Sequence, residues 1–463
     1  MTIPEKADLI LTNGYVLTMD SKRQIYSDGA IAVKAGRIAA VGRTADILRQ
    51  YEGPVHNCQG GVVHPGLVDA HEHLCLHITR GWEPDSFTVH DTWTRFEALA
   101  YPAVTDAQER ASVELATLEM AKNGTTAFSD TGSAFSMEAV IEPVNRVGIR
   151  GIIGCVGGDN FPPELQFLSG KTDALLARMA RNLHQYGKAS GLRVRAGVQL
   201  CGMGDCSDPL VTGAKALARE TDDVLFMHQC VYPEEIAQYA EKYGQTPVEH
   251  LAALGVLDSK TALVHMIHLT DADVAVLAQT GAGVIHCPAA SLKYGLGASS
   301  VGKFPELDEA GVPLALGTDS GTWADAMDVF QLVYLAATIH REARRTQLSL
   351  RSYRAFEMAT LGGAAVLGMA GEIGALAPGM RADLVIHTAQ LPECQPPFDP
   401  FTNLVYAARS KSVRDVLVEG EWIVRDGHAV RVDEEAVLAH ARETAAAFAK
   451  RTGYRLYSPW PVV

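Results

Sequence analysis

The sequence predicts an α/β protein: a (β/α)8 barrel with a small β-domain assembled from the segments on either side of it. Three observations carry this reading. Between residues 60 and 370, short β-branched runs alternate with helical stretches, the pattern of βα units around a parallel sheet. Eight such runs occur, more than the five or six strands of an ordinary open doubly wound sheet. No Gly-x-Gly-x-x-Gly follows any of them, which removes the main signature of a dinucleotide-binding sheet.

The predicted barrel strands cover 62–68, 125–129, 149–156, 192–200, 223–228, 261–265, 283–286 and 312–318. Helices between them have readable ends. Thr105 with Gln108 forms a capping-box pattern, Ala111, Leu115 and Leu118 share one face, and Gly124 follows as a C-terminal cap. Thr270 with Asp273, then Val274 and Leu277, closed by Gly281, repeats that logic. Outside the barrel the period changes to two, with Gly and Asp turns, over 7–16, 31–33 and 37–41 before it and 383–387, 413–419 and 421–424 after it. The expected organisation is a composite β-domain from 1–60 plus 371–430, a barrel over 61–370, and a closing helix near 433–451 within a terminal segment 431–463.

Charge and cysteine usage narrow the function classes. Forty basic against fifty-four acidic residues give a net charge of −14, which argues against nucleic acid or an anionic membrane as partner. No window approaches the ~20 apolar residues of a membrane span, and the first eight residues lack a signal-peptide core, so a cytoplasmic location is expected. Eight scattered cysteines have the spread of reduced, buried thiols and give neither a disulfide framework nor a zinc ribbon.

The sixteen histidines carry the chemistry. In a barrel of this type the active site lies at the carboxyl ends of the strands. The first strand runs into His71-Glu72-His73, the fifth ends at His228, the sixth at His265, the seventh at His286, and the eighth at Asp319. A catalytic metal needs three or four N or O ligands from converging elements, and an H-x-H at a strand end points both imidazoles the same way. His71, His73, His228 and Asp319 are therefore the expected ligands, with His265 close enough to act on substrate. His77, His90 and His268 are read as surface or supporting residues, and Cys230 and Cys287 as small buried fillers.

Across nearly its whole length the chain resembles the amidohydrolase superfamily. The resemblance rests on residues 63–74 (Val-His-Pro-Gly-Leu-Val-Asp-Ala-His-Glu-His-Leu), Thr79-Arg80-Gly81, Asn123-Gly124-Thr125-Thr126, residues 263–269, His286-Cys287-Pro288, Leu316-Gly317-Thr318-Asp319 and residues 378–384. It is most similar to the branch of atrazine chlorohydrolase and the heterocycle deaminases. That resemblance implies a distorted barrel with a composite β-sandwich, the same four ligands, and His265 as the histidine that polarises substrate. It implies one divalent metal per subunit, since strand four holds Arg193 and Arg195 but no lysine to bridge two ions. Zinc is the first expectation, with Fe(II), Co or Mn fitting the same ligands. Asp319 would act as general base. A small-molecule substrate and a homo-oligomeric assembly are expected, and the surviving ligand set argues against a non-catalytic scaffold.

Two departures from that branch bear on substrate. Where the relatives carry a proton-shuttling glutamate three residues after the strand-five histidine, His228-Gln229-Cys230-Val231 places a valine. Glu234 and Glu235 follow Pro233 and read as first-turn helix acids, the alternative being that one of them replaces the missing glutamate. Ala289-Ala290-Ser291 stands where the relatives commonly place an asparagine, and Gly321-Thr322-Trp323 replaces a small polar stretch. The expectation is hydrolysis of a carbonyl C–N or C–S bond in an acyclic apolar urea, carbamate, thiocarbamate or amide, as in the bacterial phenylurea and thiocarbamate herbicide hydrolases. The alternative is an aminohydrolase or dechlorinase acting on a triazine, purine or pyrimidine type of heterocycle. Trp82, Trp93, His286, Ser291 and Trp323 are the expected pocket residues; Phe87 and Phe96 share the loop after strand one, where packing of a lid against the barrel rim is an equal reading.

Overall fold

The structure is a computed structural model describing residues 3–202, 204–455, 457–458 and 460–461. Its barrel strands, all parallel, are β1 Leu67–His73, β2 Thr125–Ala134, β3 Arg150–Cys155, β4 Val194–Ala196 continued as Val198–Gly202, β5 Leu225–Gln229, β6 Thr261–His265, β7 Gly283–His286 and β8 Leu314–Leu316 continued as Asp319–Ser320. Strands β4 and β8 are each broken in two, and the pieces join different five-stranded sheets. The barrel is thus two half-sheets hinged at Gly197 and at Gly317-Thr318. That break is the distortion the sequence resemblance implied, and it lets Asp319 pair alongside Glu72 at the end of β1.

The predicted first strand, 62–68, is two strands. Val62–Pro65 pairs antiparallel with Leu384–His387 and belongs to the β-domain, whereas Leu67–His73 enters the barrel. Gly66 marks the junction, and any side chain there would collide with Thr126. The β-domain is one nine-stranded sheet drawn from both flanks, with Leu9–Leu17, Ile25–Lys34, Arg37–Arg43, Val55–Asn57 and Val62–Pro65 from the first and Leu384–His387, Val413–Val418, Glu421–Arg425 and His428–Ala429 from the second. Its own apolar cluster includes Leu11, Val16, Ile31, Leu384 and Leu417, separate from the barrel core.

Helix ends mostly follow the sequence. Thr270 and Asp273 form the reciprocal capping box over Asp271–Thr280, closed by Gly281 in the left-handed conformation. Over Asp106–Lys122 the box does not form: the Thr105 hydroxyl donates to the Gln108 side chain instead of receiving a backbone N–H. The closing helix spans Glu434–Thr452. All eight cysteines are free, and no described helix is long and apolar enough to cross a membrane.

Barrel and β-domain are fastened by a buried ion pair. Arg150 on β3 donates from Nε and Nη2 to Asp383, which also accepts the Glu419 backbone N–H at 2.8 Å. Both side chains are almost wholly buried. Glu419 Oε1, 3.5 Å from Arg150 Nη2, compensates the guanidinium only in part once Asp383 is gone, so Asp383→Ala is expected to destabilise by about 2–4 kcal/mol, read as a lower denaturation midpoint. An unchanged midpoint would show that the pair does not fasten the two parts.

Candidate metal centre and active site

The carboxyl ends of β1, β5, β6 and β8 bring five side chains together. His71 Nε2 and His73 Nε2 each lie 3.8 Å from Asp319 Oδ1, His265 Nε2 lies 3.8 Å from Asp319 Oδ2, and His228 Nε2 lies 3.3 Å from His73 Nε2. Ligand atoms of His71, His228 and His265 sit within 4.8 Å of one another, as do those of His71, Cys287 and Asp319. The sequence-predicted ligands and His265 are all in this cluster.

Local backbone aims them. His228 donates from Nδ1 to the Cys201 carbonyl at 2.6 Å, which leaves Nε2 directed inward as an acceptor. Gly202 allows that approach: it has φ +93°, and a side chain there would collide with the His228 backbone. His265 and Asp319 are themselves in the left-handed region, at φ 72° and 69°. Such strain costs of order 1–3 kcal/mol per residue and persists where the surroundings over-determine it. Asp319 Oδ1 accepts the Ser320 N–H at 2.8 Å, and Asp69 behind it holds Thr318 through its backbone N–H at 3.0 Å and its hydroxyl.

Electrostatics put the donors in the form a metal requires. Burial holds His71, His73 and His265 well below the ordinary imidazole pKa, with neighbouring imidazoles adding to the effect. Burial lowers His228 as well, opposed by Asp319. All four are neutral at neutral pH. Both nitrogens of His71 and Oδ2 of Asp319 are buried with no hydrogen-bond partner. Such atoms are costly to bury unless something else satisfies them, and neutral imidazoles with a carboxylate suit a divalent cation. The Cys287 thiol is kept protonated by burial and by the Asp319 and Asp69 carboxylates, which suits a filler better than a ligand.

Above the cluster lies a cavity of about 680 Å³, within the range of small-molecule sites. Trp93 and Trp323 line it, as the sequence predicted. Three expected pocket residues do not. Trp82 is stacked on Tyr454 at 4.0 Å and on Phe448 at 5.5 Å, so the closing helix and the residues after it pin the loop from behind. Phe96 packs with it, 6.2 Å away. His286 faces out of the barrel, stacked on Phe304 at 3.7 Å with Nε2 3.1 Å from His340 Nε2, because β7 alternates that side chain toward the helix Val329–Arg344. Ser291 is spent on local structure, its hydroxyl accepting the Ala298 N–H at 3.0 Å.

Sequence reasoning missed several wall residues: Glu97, Tyr101, Phe161, Asp205 and Tyr232. Glu235 was read as a first-turn helix acid, yet it turns back toward the end of β5. Its carboxylate accepts the N–H groups of Cys230 at 2.8 Å and Val231 at 2.9 Å and the Gln229 side-chain amide. Burial pushes it up to about 7 against those hydrogen bonds. Glu235 thereby lines the cavity beside Tyr232 and Glu234.

Comparison with known proteins follows this geometry. The description "Amidohydrolase family" matches residues 62–423. The chain is 32% identical over 447 residues, covering 96% of it and 98% of the relative, to a 5-methylthioadenosine/S-adenosylhomocysteine deaminase from Nitratidesulfovibrio vulgaris. A protein of the same description from Haloarcula marismortui is 30% identical over 448 residues, 96% and 100% of the two chains. Among solved structures, a zinc-bound adenosine deaminase from Xanthomonas campestris superposes with TM-score 0.89 at 27% identity over 97% of this chain and 100% of that one. An atrazine chlorohydrolase from Arthrobacter aurescens, complexed with zinc, reaches TM-score 0.86 at 21% identity over 94% and 100%, a likeness of fold. The descriptions of these relatives name nitrogen heterocycles rather than the acyclic urea, carbamate, thiocarbamate or amide expected from Val231.

A metal-binding cluster has a thermal signature. An ion present at ~100 times its Kd adds about 2.7 kcal/mol to stability. Chelator is therefore expected to lower the Tm of the native protein by several degrees and to leave that of His71→Ala unmoved; equal shifts in the two proteins would place the ion elsewhere.

Proposed function

The chain belongs to the amidohydrolase family and is a hydrolase acting on carbon–nitrogen bonds, and we propose that it removes an amino group from a nitrogen heterocycle of the aminopurine nucleoside type. Besides the near-full-length similarity to nucleoside deaminases, the observation that carries this reading is Glu235, a cavity-wall carboxyl with a pKa of about 7. Hydrolytic deamination needs a group that delivers a proton to the ring nitrogen as water adds to the adjacent carbon, and a carboxyl near the operating pH suits that task. Val231 had argued against such chemistry because valine holds no proton.

In this proposal His71, His73, His228 and Asp319 hold one divalent ion, zinc first and Fe(II), Co or Mn by the same chemistry. When bound, the ion supplies Lewis-acid activation of water. Asp319 accepts the water's proton at Oδ2, the oxygen without a partner. His265, 3.8 Å from that oxygen, is placed to hydrogen-bond the substrate where the new C–O bond forms. Glu235 protonates the ring nitrogen, the proton held by Asp319 leaves with the amine, and the added hydroxyl returns its proton to the Glu235 carboxylate as the C=O forms, so water and the amino heterocycle become the oxo heterocycle and ammonia. Trp93 and Trp323 give the ring a flat apolar wall.

A second reading keeps Val231 central. Its side chain is buried and apolar, and an acyclic urea, carbamate, thiocarbamate or amide needs no ring protonation. Product analysis separates the two: ammonia from an aminopurine nucleoside supports the first, and release of an alkylamine, aniline or thiol from the acyclic panel with no ammonia supports the second.

Glu235 gives a sharper prediction. Its protonated form is the donor, and that form is lost as pH rises through about 7, so kcat/KM for the heterocycle should fall above that pH. Glu235→Gln should lower kcat by ~10²-fold or more, the usual size of a general-acid contribution, with metal content and Tm retained. Retention of kcat would reduce Glu235 to an anchor for the loop after β5.

A further inference from the structure

The cavity's charge is one-sided. Among the described residues its wall carries the carboxyl groups of Glu97, Asp205, Glu234, Glu235 and Asp319, and no lysine or arginine. Two basic groups lie behind the wall and are already bonded: Lys293 Nζ donates to the Thr322 carbonyl and to Asp325, each at 2.6 Å, and Arg178 donates to the Val156 carbonyl. Asp205 is pushed up to about 8 by burial, with the Glu235 charge adding to it. Glu97 is held well above its usual range by burial and by Glu83, Asp319 and Asp205, against a hydrogen bond from Trp323. The Tyr232 phenol, a neutral donor, has its pKa raised first by desolvation and then by the Asp319, Glu97, Glu235 and Asp205 carboxylates. Trp93, Phe161, Leu165 and Leu168 give the same space an apolar side, and its other polar groups, among them Thr88, His90, Asn160 and Gln238, include no lysine or arginine.

A ligand carboxylate brought into the part of this space away from the metal cluster would lose water, meet no lysine or arginine, and lie near groups that already disfavour one another's ionisation. An uncharged tail would pack on the apolar wall. A cationic tail would find carboxyl groups able to ionise against it. We propose, resting on the preceding functional reading, that the cavity selects aminopurine nucleosides whose 5′ substituent is uncharged or cationic and rejects those ending in a carboxylate. Of the two compounds in the name of the relatives, the methylthio nucleoside meets this requirement. The homocysteinyl one does not, because its tail brings a carboxylate into the same space along with its ammonium.

Three 5′-thioether adenosines differing only in the end group, methyl, 2-aminoethyl and 2-carboxyethyl, test the proposal on the zinc-loaded protein. Quenching of the cavity tryptophans gives Kd, and ammonia release gives kcat/KM. The carboxyethyl compound should bind at least ~10-fold more weakly than the methyl one, the least expected when a charge is buried without a partner. The aminoethyl compound should bind as tightly as the methyl one or more tightly. Equal affinity for all three, or tighter binding of the carboxylate, overturns the charge selection. Binding in the predicted order without ammonia release supports the charge selection and rejects purine deamination, and absence of binding by all three rejects both.

Discussion

Four neutral imidazoles and a carboxylate face one another at the mouth of the barrel, with inward atoms that the protein itself leaves unsatisfied. The rest of the site is arranged around that constraint. Water alone would satisfy such a cluster poorly, because the ligand atoms of His71, His228 and His265 converge on one small volume and burial lowers the imidazole pKa values. A divalent cation removes the problem for all of them at once. The broken strands β4 and β8, the left-handed backbone at His265 and Asp319, and the glycine at 202 are the local distortions by which a regular barrel brings these atoms together.

Strain and support are distributed unequally. The left-handed residues are the two assigned to chemistry on the substrate, whereas His71 and His73 sit in regular strand. Asp69 bonds the backbone immediately before Asp319, and Cys201 fixes the tautomer of His228. On the far side, Phe448 and Tyr454 hold Trp82 and with it the loop that delivers Trp93 and Glu97 to the cavity. The last helix thus contributes to the pocket without touching it.

Much of this was legible in the residues. Strand periodicity and the placement of His71, His73, His228, His265 and Asp319 at strand ends located the cluster, because period two in a parallel barrel leaves few places for a strand-end side chain to go. The errors have physical causes. His286 also ends a strand, but alternation turns it outward to His340, and nothing in one strand's sequence tells inward from outward. The junction at Gly66 was hidden within a continuous apolar run that serves two different sheets. Trp82 and Ser291 were assigned from their position after a strand, and their partners, Tyr454 and the Ala298 N–H, lie beyond any local pattern in the sequence. Glu235 was recognised as a helix first-turn acid, and its return to Val231 became visible only when the loop geometry was known. Of the acidic cavity wall, Glu97 and Asp205 left no signal in the sequence, since the wall's carboxyls come from segments after four different strands.

X-ray absorption on the zinc-loaded protein tests the central claim most directly, that the neutral imidazoles and Asp319 form a single hydrolytic metal site. The expected spectrum has one shell of N and O ligands at about 2.0–2.2 Å with imidazole scattering beyond it. A sulfur shell near ~2.3 Å would place Cys287 on the metal and contradict the assignment of a protonated, packing thiol.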